Sequence, residues 1–166
     1  RRIASIGVLH KIKGHYIDTK HPIIVENLMG IKRKNGVSQK GKKPLLINDL
    51  KLLINVLNEK QKNIDKKLRD KAILLIGFSG GFRRSELVQL EYDDIEFVPE
   101  GVKIFIKKSK TDQSGEGTTK GIPYFNNEIY CPVRALKEWL THQNLRNGKI
   151  FKVSDKSIAL IIKKYS

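Results

Sequence analysis

Ile76-Gly77-Phe78-Ser79-Gly80-Gly81-Phe82-Arg83-Arg84-Ser85-Glu86-Leu87-Val88-Gln89-Leu90 is the stretch on which the fold turns. Residues 72–78, Ala-Ile-Leu-Leu-Ile-Gly-Phe, are apolar on every side, as in a helix enclosed by other elements. Gly80-Gly81 ends that helix, because glycine enters the left-handed conformation of a C-terminal cap without steric penalty. A second helix is expected over 85–90, with Ser85 as its N-cap and Glu86 favoured beside the positive helix end. Arg83 and Arg84 then lie on a tight turn between two packed helices. A guanidinium held on such a turn offers a planar fork that matches two oxygens of a phosphate.

Working outward, the flanks describe a helical body with a small sheet. Asn48 is placed to cap a helix over 49–59, whose Leu50, Leu53, Ile54 and Leu57 form an apolar stripe. The buried helix runs from Ile64 to Phe78. Beyond the arginines, residues 95–98 and 102–107 read as two strands, the second rich in β-branched and aromatic residues, with Pro99-Glu100-Gly101 turning between them. Residues 111–117 are polar, and 118–124 return as a third strand with Ile122 and Tyr124 on one side. Pro132 opens a helix from its first turn, and Val133, Leu136, Trp139 and Leu140 face inward. At that spacing Trp139 is a core side chain rather than a base-stacking platform. Ser154 or Asp155 caps a last helix that carries Ile158, Leu160, Ile161 and Ile162. The expected class is mainly α with a small three-stranded antiparallel sheet.

Upstream, 3–14 reads as a helix with Ile3, Ile6, Leu9 and Ile12 on one face and Gly14 as its stop. Pro22 opens a second helix through Ile23, Ile24, Val25, Leu28 and Met29. Two such short helices do not make a stable unit alone. Between Lys32 and Lys43 the chain is basic, polar and aperiodic, as an extended linker is. The linker is expected to lie along a phosphate backbone through Lys32, Arg33, Lys34, Lys40, Lys42 and Lys43, because neutralising phosphates dominates nucleic-acid affinity.

Charge supports a polyanionic partner. The 166 residues carry 33 Lys/Arg against 17 Asp/Glu, a net charge of +16. The first 44 hold 11 of those bases against only Asp18 and Glu26. Nucleic acid is the simplest partner of such a chain. No apolar run approaches the roughly 20 residues that span a bilayer. The chain opens on Arg1-Arg2 with no initiator Met, and it reads as an internal fragment. A lone Cys131 precludes an internal disulfide framework and points to a reducing cytoplasm.

Gly-Phe-Arg-Arg-Ser-Glu-Leu-Val-Gln-Leu followed by Asp93-Asp94-Ile95 resembles the first arginine box of the tyrosine recombinases, the phage-integrase family. Cys-Pro-Val-Arg-Ala-Leu-Lys-Glu-Trp-Leu, 131–140, is similar to the family at the corresponding place after its sheet. The resemblance implies that Arg83 is a catalytic arginine and that Glu86 supports the site. Arg84 is left as a DNA contact. It also implies that a lysine in the hairpin between the second and third strands protonates the leaving group. That selects Lys110 of Ser109-Lys110-Thr111-Asp112, with Lys108 its nearest competitor, from a set that includes Lys103, Lys107 and Lys120. By the same resemblance 1–34 are the closing helices of a core-binding domain, 35–44 a linker and 45–166 part of a catalytic domain.

The family's reaction attacks DNA with a tyrosine hydroxyl, forms a 3′-phosphotyrosyl bond and releases a 5′-hydroxyl. Double-stranded DNA and further recombinase protomers are the implied partners, and no small-molecule substrate or membrane is expected. No metal or cofactor is expected, since arginine forks supply the positive charge that Mg²⁺ supplies elsewhere. Asp93-Asp94 diverge in direction and more simply cap a turn. One departure stands out. The family's next box is His-x-x-Arg, then a His or Trp and the tyrosine. After Lys110 this sequence has only His142, with Arg146 four residues on rather than three. Tyr165 ends a helix that precedes the missing box and is not expected to be the nucleophile. Two readings follow: a DNA-cleaving and rejoining enzyme, inactive as this fragment alone, or a DNA-binding protein that keeps the fold without catalysis. An RNA-binding domain is disfavoured, because no aromatic stacking strip lines the strands.

Overall fold

The computed structural model describes residues 2–36, 41, 44–107 and 117–166. Two compact units emerge, Arg1–Pro44 and Leu45–Ser166.

The first unit holds helices α1 (Arg2–Ile12) and α2 (Pro22–Asn35). Gly14, at φ +77°, follows α1, and the His15 amide donates back to the His10 carbonyl at 2.9 Å. That closing bond is the one a left-handed glycine permits. Proline opens α2, where a missing N–H costs nothing, and Lys32, Arg33 and Lys34, expected in an extended linker, instead fill its last turn, where their charges lie beside the negative helix end. None of the described side chains in this unit is buried. Ile6, Leu9 and Ile12, expected on one apolar face, are about half or more exposed, as are Ile23, Met29 and Ile31. Lys40, Lys42 and Lys43 lie outside the described residues.

The second unit is built around α4 (Ile64–Ser79), in which Ala72 through Ile76 are all buried. Three helices surround it: α3 (Ile47–Lys60), α6 (Pro132–His142) and α7 (Asp155–Tyr165), while α5 (Arg84–Gln89) follows it directly. The stripe of α3 (Leu50, Leu53, Ile54, Leu57) is buried as its spacing requires. A 3₁₀ turn, Tyr92–Asp94, leads into β1 (Ile95–Val98), β2 (Gly101–Ile106) and β3 (Thr118–Pro123), an antiparallel sheet in the order β1-β2-β3. A Cβ at Gly101 would sit 2.0 Å from the Ile122 carbonyl oxygen, so only glycine brings β2 this close to β3. Tyr124 falls just past β3, and its amide donates to the Glu100 carbonyl at 3.0 Å. Trp139 is a core residue, its indole N–H donating to the Ile150 carbonyl at 3.0 Å. The fold is therefore mainly α with one small antiparallel sheet, as the sequence pattern indicates.

Two helix starts differ from expectation for one physical reason. Helix α3 begins at Ile47, and Asn48 is inside it rather than its cap. Asp49 instead reaches back and accepts the Leu46 N–H at 3.0 Å. Likewise α5 begins at Arg84, with Arg83 rather than Ser85 at the cap position, and Glu86 accepts the Arg83 N–H at 2.9 Å. A carboxylate in the third helical position satisfies the orphan amide of the residue before the helix. The capping residue itself then needs no side-chain acceptor. Asp94 repeats the device on the Glu91 N–H at 3.0 Å, while Ser154 caps α7 by accepting from the Ser157 amide at 3.2 Å.

Candidate active site

The end of α4 positions the site. Gly80 closes the helix, and Gly81 follows at φ +56°. The Gly81 amide donates to the Phe78 carbonyl at 3.2 Å and the Phe82 amide to Gly77 at 3.0 Å. These two bonds turn the chain sharply and deliver Arg83 at the next position. Correcting the sequence expectation, Arg84 is not on this turn but in the first turn of α5, half exposed, with its Nε 3.3 Å from Asp155.

Glu86 is 5% exposed and holds Arg83 twice. One carboxylate oxygen accepts the Arg83 backbone N–H at 2.9 Å, and the other accepts a guanidinium N–H at 2.8 Å. The Arg83 side chain nevertheless remains 46% exposed. Backbone and side chain are thus fixed by one carboxylate while the guanidinium still faces outward. Burial pushes the Glu86 carboxyl up, but the two Arg83 hydrogen bonds and the nearby charges of Lys120 and Arg83 outweigh it, so it titrates below the ordinary carboxylate range. It stays anionic at neutral pH.

A third member went unselected in the sequence. Lys120 on β3 donates to the carbonyls of Gly80 at 2.7 Å and Gly81 at 3.1 Å, and lies 4.0 Å from Glu86. Its signal was weak, being one lysine among several near a hairpin, and only the pairing of β3 with β2 brings it over the turn.

Lys110 and Lys108 lie outside the described residues. Lys107 is held by Glu91 and, at 3.1 Å, by Asp94, and these two hydrogen-bonded carboxylates raise its pKa. His142 pairs with Asp65 at 2.7 Å at the exposed end of α6. Tyr165 is 4% exposed, its hydroxyl donating to Asp70 at 3.0 Å. Among the described residues no three His, Cys, Asp or Glu side chains converge as metal ligands would, and no helix is long and apolar enough to cross a membrane.

Known proteins share both sequence and fold with this chain. The family model described as "Phage integrase family" matches residues 45–157. The integrase/recombinase xerD homolog of Selenomonas ruminantium is 39% identical over 180 aligned residues, which cover 99% of this chain and 52% of that protein. The chain thus spans about half the length of this curated relative. The crystal structure of XerA recombinase superposes with a TM-score of 0.54 at 16% identity, over 98% of this chain and 58% of that one. XerH site-specific recombinase, bound to a palindromic difH substrate in a post-cleavage complex, gives 0.53 at 19% identity, over 86% and 46%. At such identities the likeness to the solved structures is one of fold, whereas the family model rests on sequence across more than half of the chain. The chain belongs to the phage integrase family, the tyrosine-type site-specific recombinases.

Proposed function

We propose that the protein to which these residues belong cleaves and rejoins double-stranded DNA through a 3′-phosphotyrosyl intermediate, with Arg83 as one arm of the phosphate clamp. The observation that carries this reading is the arginine itself: a guanidinium on a glycine turn, fixed at backbone and side chain by a buried carboxylate, and 46% exposed. Preorganised positive charge of this kind stabilises the crowded phosphate of a transition state without having to reorganise during reaction. Glu86 is the positioning residue. In this scheme a tyrosine oxygen attacks the scissile phosphorus, the bond to the 5′ oxygen breaks, and Lys110 gives that oxygen its proton.

The basic segment, Lys32 to Lys34 with Lys40, Lys42 and Lys43, neutralises phosphates along the duplex, and Arg84 adds a contact beside the site. Residues 1–34 would close a core-binding domain, 35–44 link it, and 45–166 form part of the catalytic domain. Other protomers on DNA are the protein partners, the cytoplasm is the compartment, and neither metal nor cofactor is required.

The test incubates the full-length protein with a pool of nicked suicide duplexes, which trap covalent intermediates, followed by denaturing gel and mass spectrometry. A DNA adduct on a tyrosine is the expected result. Salt-sensitive duplex binding with no adduct would favour a DNA-binding protein that keeps the fold without catalysis. The 166-residue chain alone contains no His-x-x-Arg after Lys110, and it is expected to bind duplex without forming an adduct, since such residues act as a unit.

A further inference from the structure

The turn that carries Arg83 begins on two glycines, which contribute no side chain to hold it. Gly80 and Gly81 supply backbone alone, and their carbonyls lie at the C-terminal end of α4, where the last C=O groups lack helical partners and carry partial negative charge. Lys120 reaches them from β3, a separate element. An ammonium has three donors and no acceptor. Here it meets the Gly80 carbonyl at 2.7 Å, the Gly81 carbonyl at 3.1 Å, and the Glu86 carboxylate at 4.0 Å. Its Nζ also stands 4.5 Å from the centre of the Phe82 ring, whose face attracts a cation. Three consecutive residues of the turn, Gly80, Gly81 and Phe82, and the Glu86 that holds Arg83 therefore converge on one strand lysine.

We propose that Lys120 is a positioning residue of the arginine site, a cationic latch between β3 and the glycine turn that sets the direction of the Arg83 guanidinium. The proposal rests on the reading of Arg83 given above. The latch acts through the backbone carbonyls and through Glu86, not by touching the scissile phosphate. Its ammonium adds a tie from a separate element to a turn that Glu86 and two backbone bonds already hold, and so narrows the directions left to the Arg83 guanidinium. Misplacement of a catalytic group by about 1 Å costs up to ~10²-fold in rate.

The test uses the whole protein and three variants. Lys120→Met keeps the apolar stem over Phe82 and removes every donor; Lys120→Arg keeps charge and donors; Lys120→Gln keeps donors without charge and serves if the Met variant does not fold. Two readouts are needed. In duplex cleavage, Met is expected to lower the rate at saturating DNA by at least ~10-fold with DNA affinity unchanged, and Arg is expected to recover most of it. In NMR titration of the Glu86 carboxyl, Met and Gln are expected to raise the midpoint and Arg to hold it. The other described charges facing Glu86 stay in place: Arg83 on the turn, and Asp94 with Lys107 across a small shared cavity. An unmoved Glu86 midpoint, or an unchanged Arg83 Nε–H resonance, in the folded Met or Gln variant would overturn the latch. If the wild-type protein forms no adduct but the midpoint still moves, the latch stands and the recombinase reading falls.

Discussion

Two buried carboxylates in the second unit each hold an arginine, and they do opposite jobs. Asp70, 2% exposed on α4, accepts both Nε and Nη2 of Arg69 through one oxygen, at 2.9 and 2.7 Å, and the Tyr165 hydroxyl through the other at 3.0 Å. Gln61, just past α3, donates to that same hydroxyl at 2.8 Å. The cluster therefore joins α3, α4 and α7, and its arginine is only 24% exposed. Glu86 uses its oxygens differently. One takes a backbone amide and the other a guanidinium on a glycine turn, and its arginine is 46% exposed. A buried acid beside an arginine is not in itself a site. What separates the two is the direction of the guanidinium: Arg69 is turned into a joint between helices, Arg83 outward from a rigid turn.

The widest gap between the two pairs is expected in chemistry. In the full-length protein, Arg83→Lys keeps a positive charge but loses the fork that two phosphate oxygens require. Cleavage of a nicked duplex is expected to fall by roughly 10²–10³, about 2.7–4 kcal/mol, the scale of losing one preorganised donor, with duplex affinity nearly unchanged. Arg69→Lys is expected to leave cleavage within about threefold, the change a residue away from the reacting atoms makes. Equal losses from both substitutions would erase the distinction. The next effect is on stability. Asp70→Ala leaves Tyr165 with Gln61 and frees a partly exposed Arg69 to seek water, so the loss is that of hydrogen bonds rather than of a stranded charge. A decrease of about 1–3 kcal/mol in unfolding free energy, read from denaturant midpoints, is expected, with no selective loss of cleavage among molecules that remain folded.

The two regions were also unequally legible in the sequence. The stripe of α3, the all-apolar run of α4, the β-branched and aromatic strands and Trp139 follow from local composition and periodicity, which depend on neighbours a few residues apart. Gly81 and Gly14 announced their helix ends because only a glycine takes that conformation cheaply. The helix caps at Leu46 and Arg83 did not announce themselves, because the acceptor sits three residues on, inside the helix, and leaves the capping residue free in type. Lys120 and Asp70 were harder still. Lys120 meets Gly80 from 40 positions away and Asp70 meets the Tyr165 hydroxyl from 95, and no local pattern distinguishes a lysine over a glycine turn from one in solvent. Arg83 was picked out because the whole box around it is local; the side chains that orient it are only partly so.

The smallest expected effect belongs to Tyr165, which ends α7 and invites a chemical role. A nucleophilic tyrosine must bring its oxygen within bonding distance of phosphorus, with room on that side for a polyanionic backbone. Tyr165 is 4% exposed. Its oxygen already accepts from Gln61 at 2.8 Å and Lys164 at 3.1 Å while donating to Asp70 at 3.0 Å. A phosphate bonding to that oxygen would have to come close to the Asp70 carboxylate, 3.0 Å from it. Tyr165→Phe keeps the ring in place and deletes one hydroxyl, so about 0.5–1.5 kcal/mol of stability is expected to go. Duplex binding and the yield of covalent adduct in the full-length protein are expected to stay as in the wild type. Mass spectrometry of the trapped adduct decides the matter: a DNA-linked peptide containing Tyr165 would move this residue from the joint to the site, and would require α7 to open by breaking the bond to Asp70.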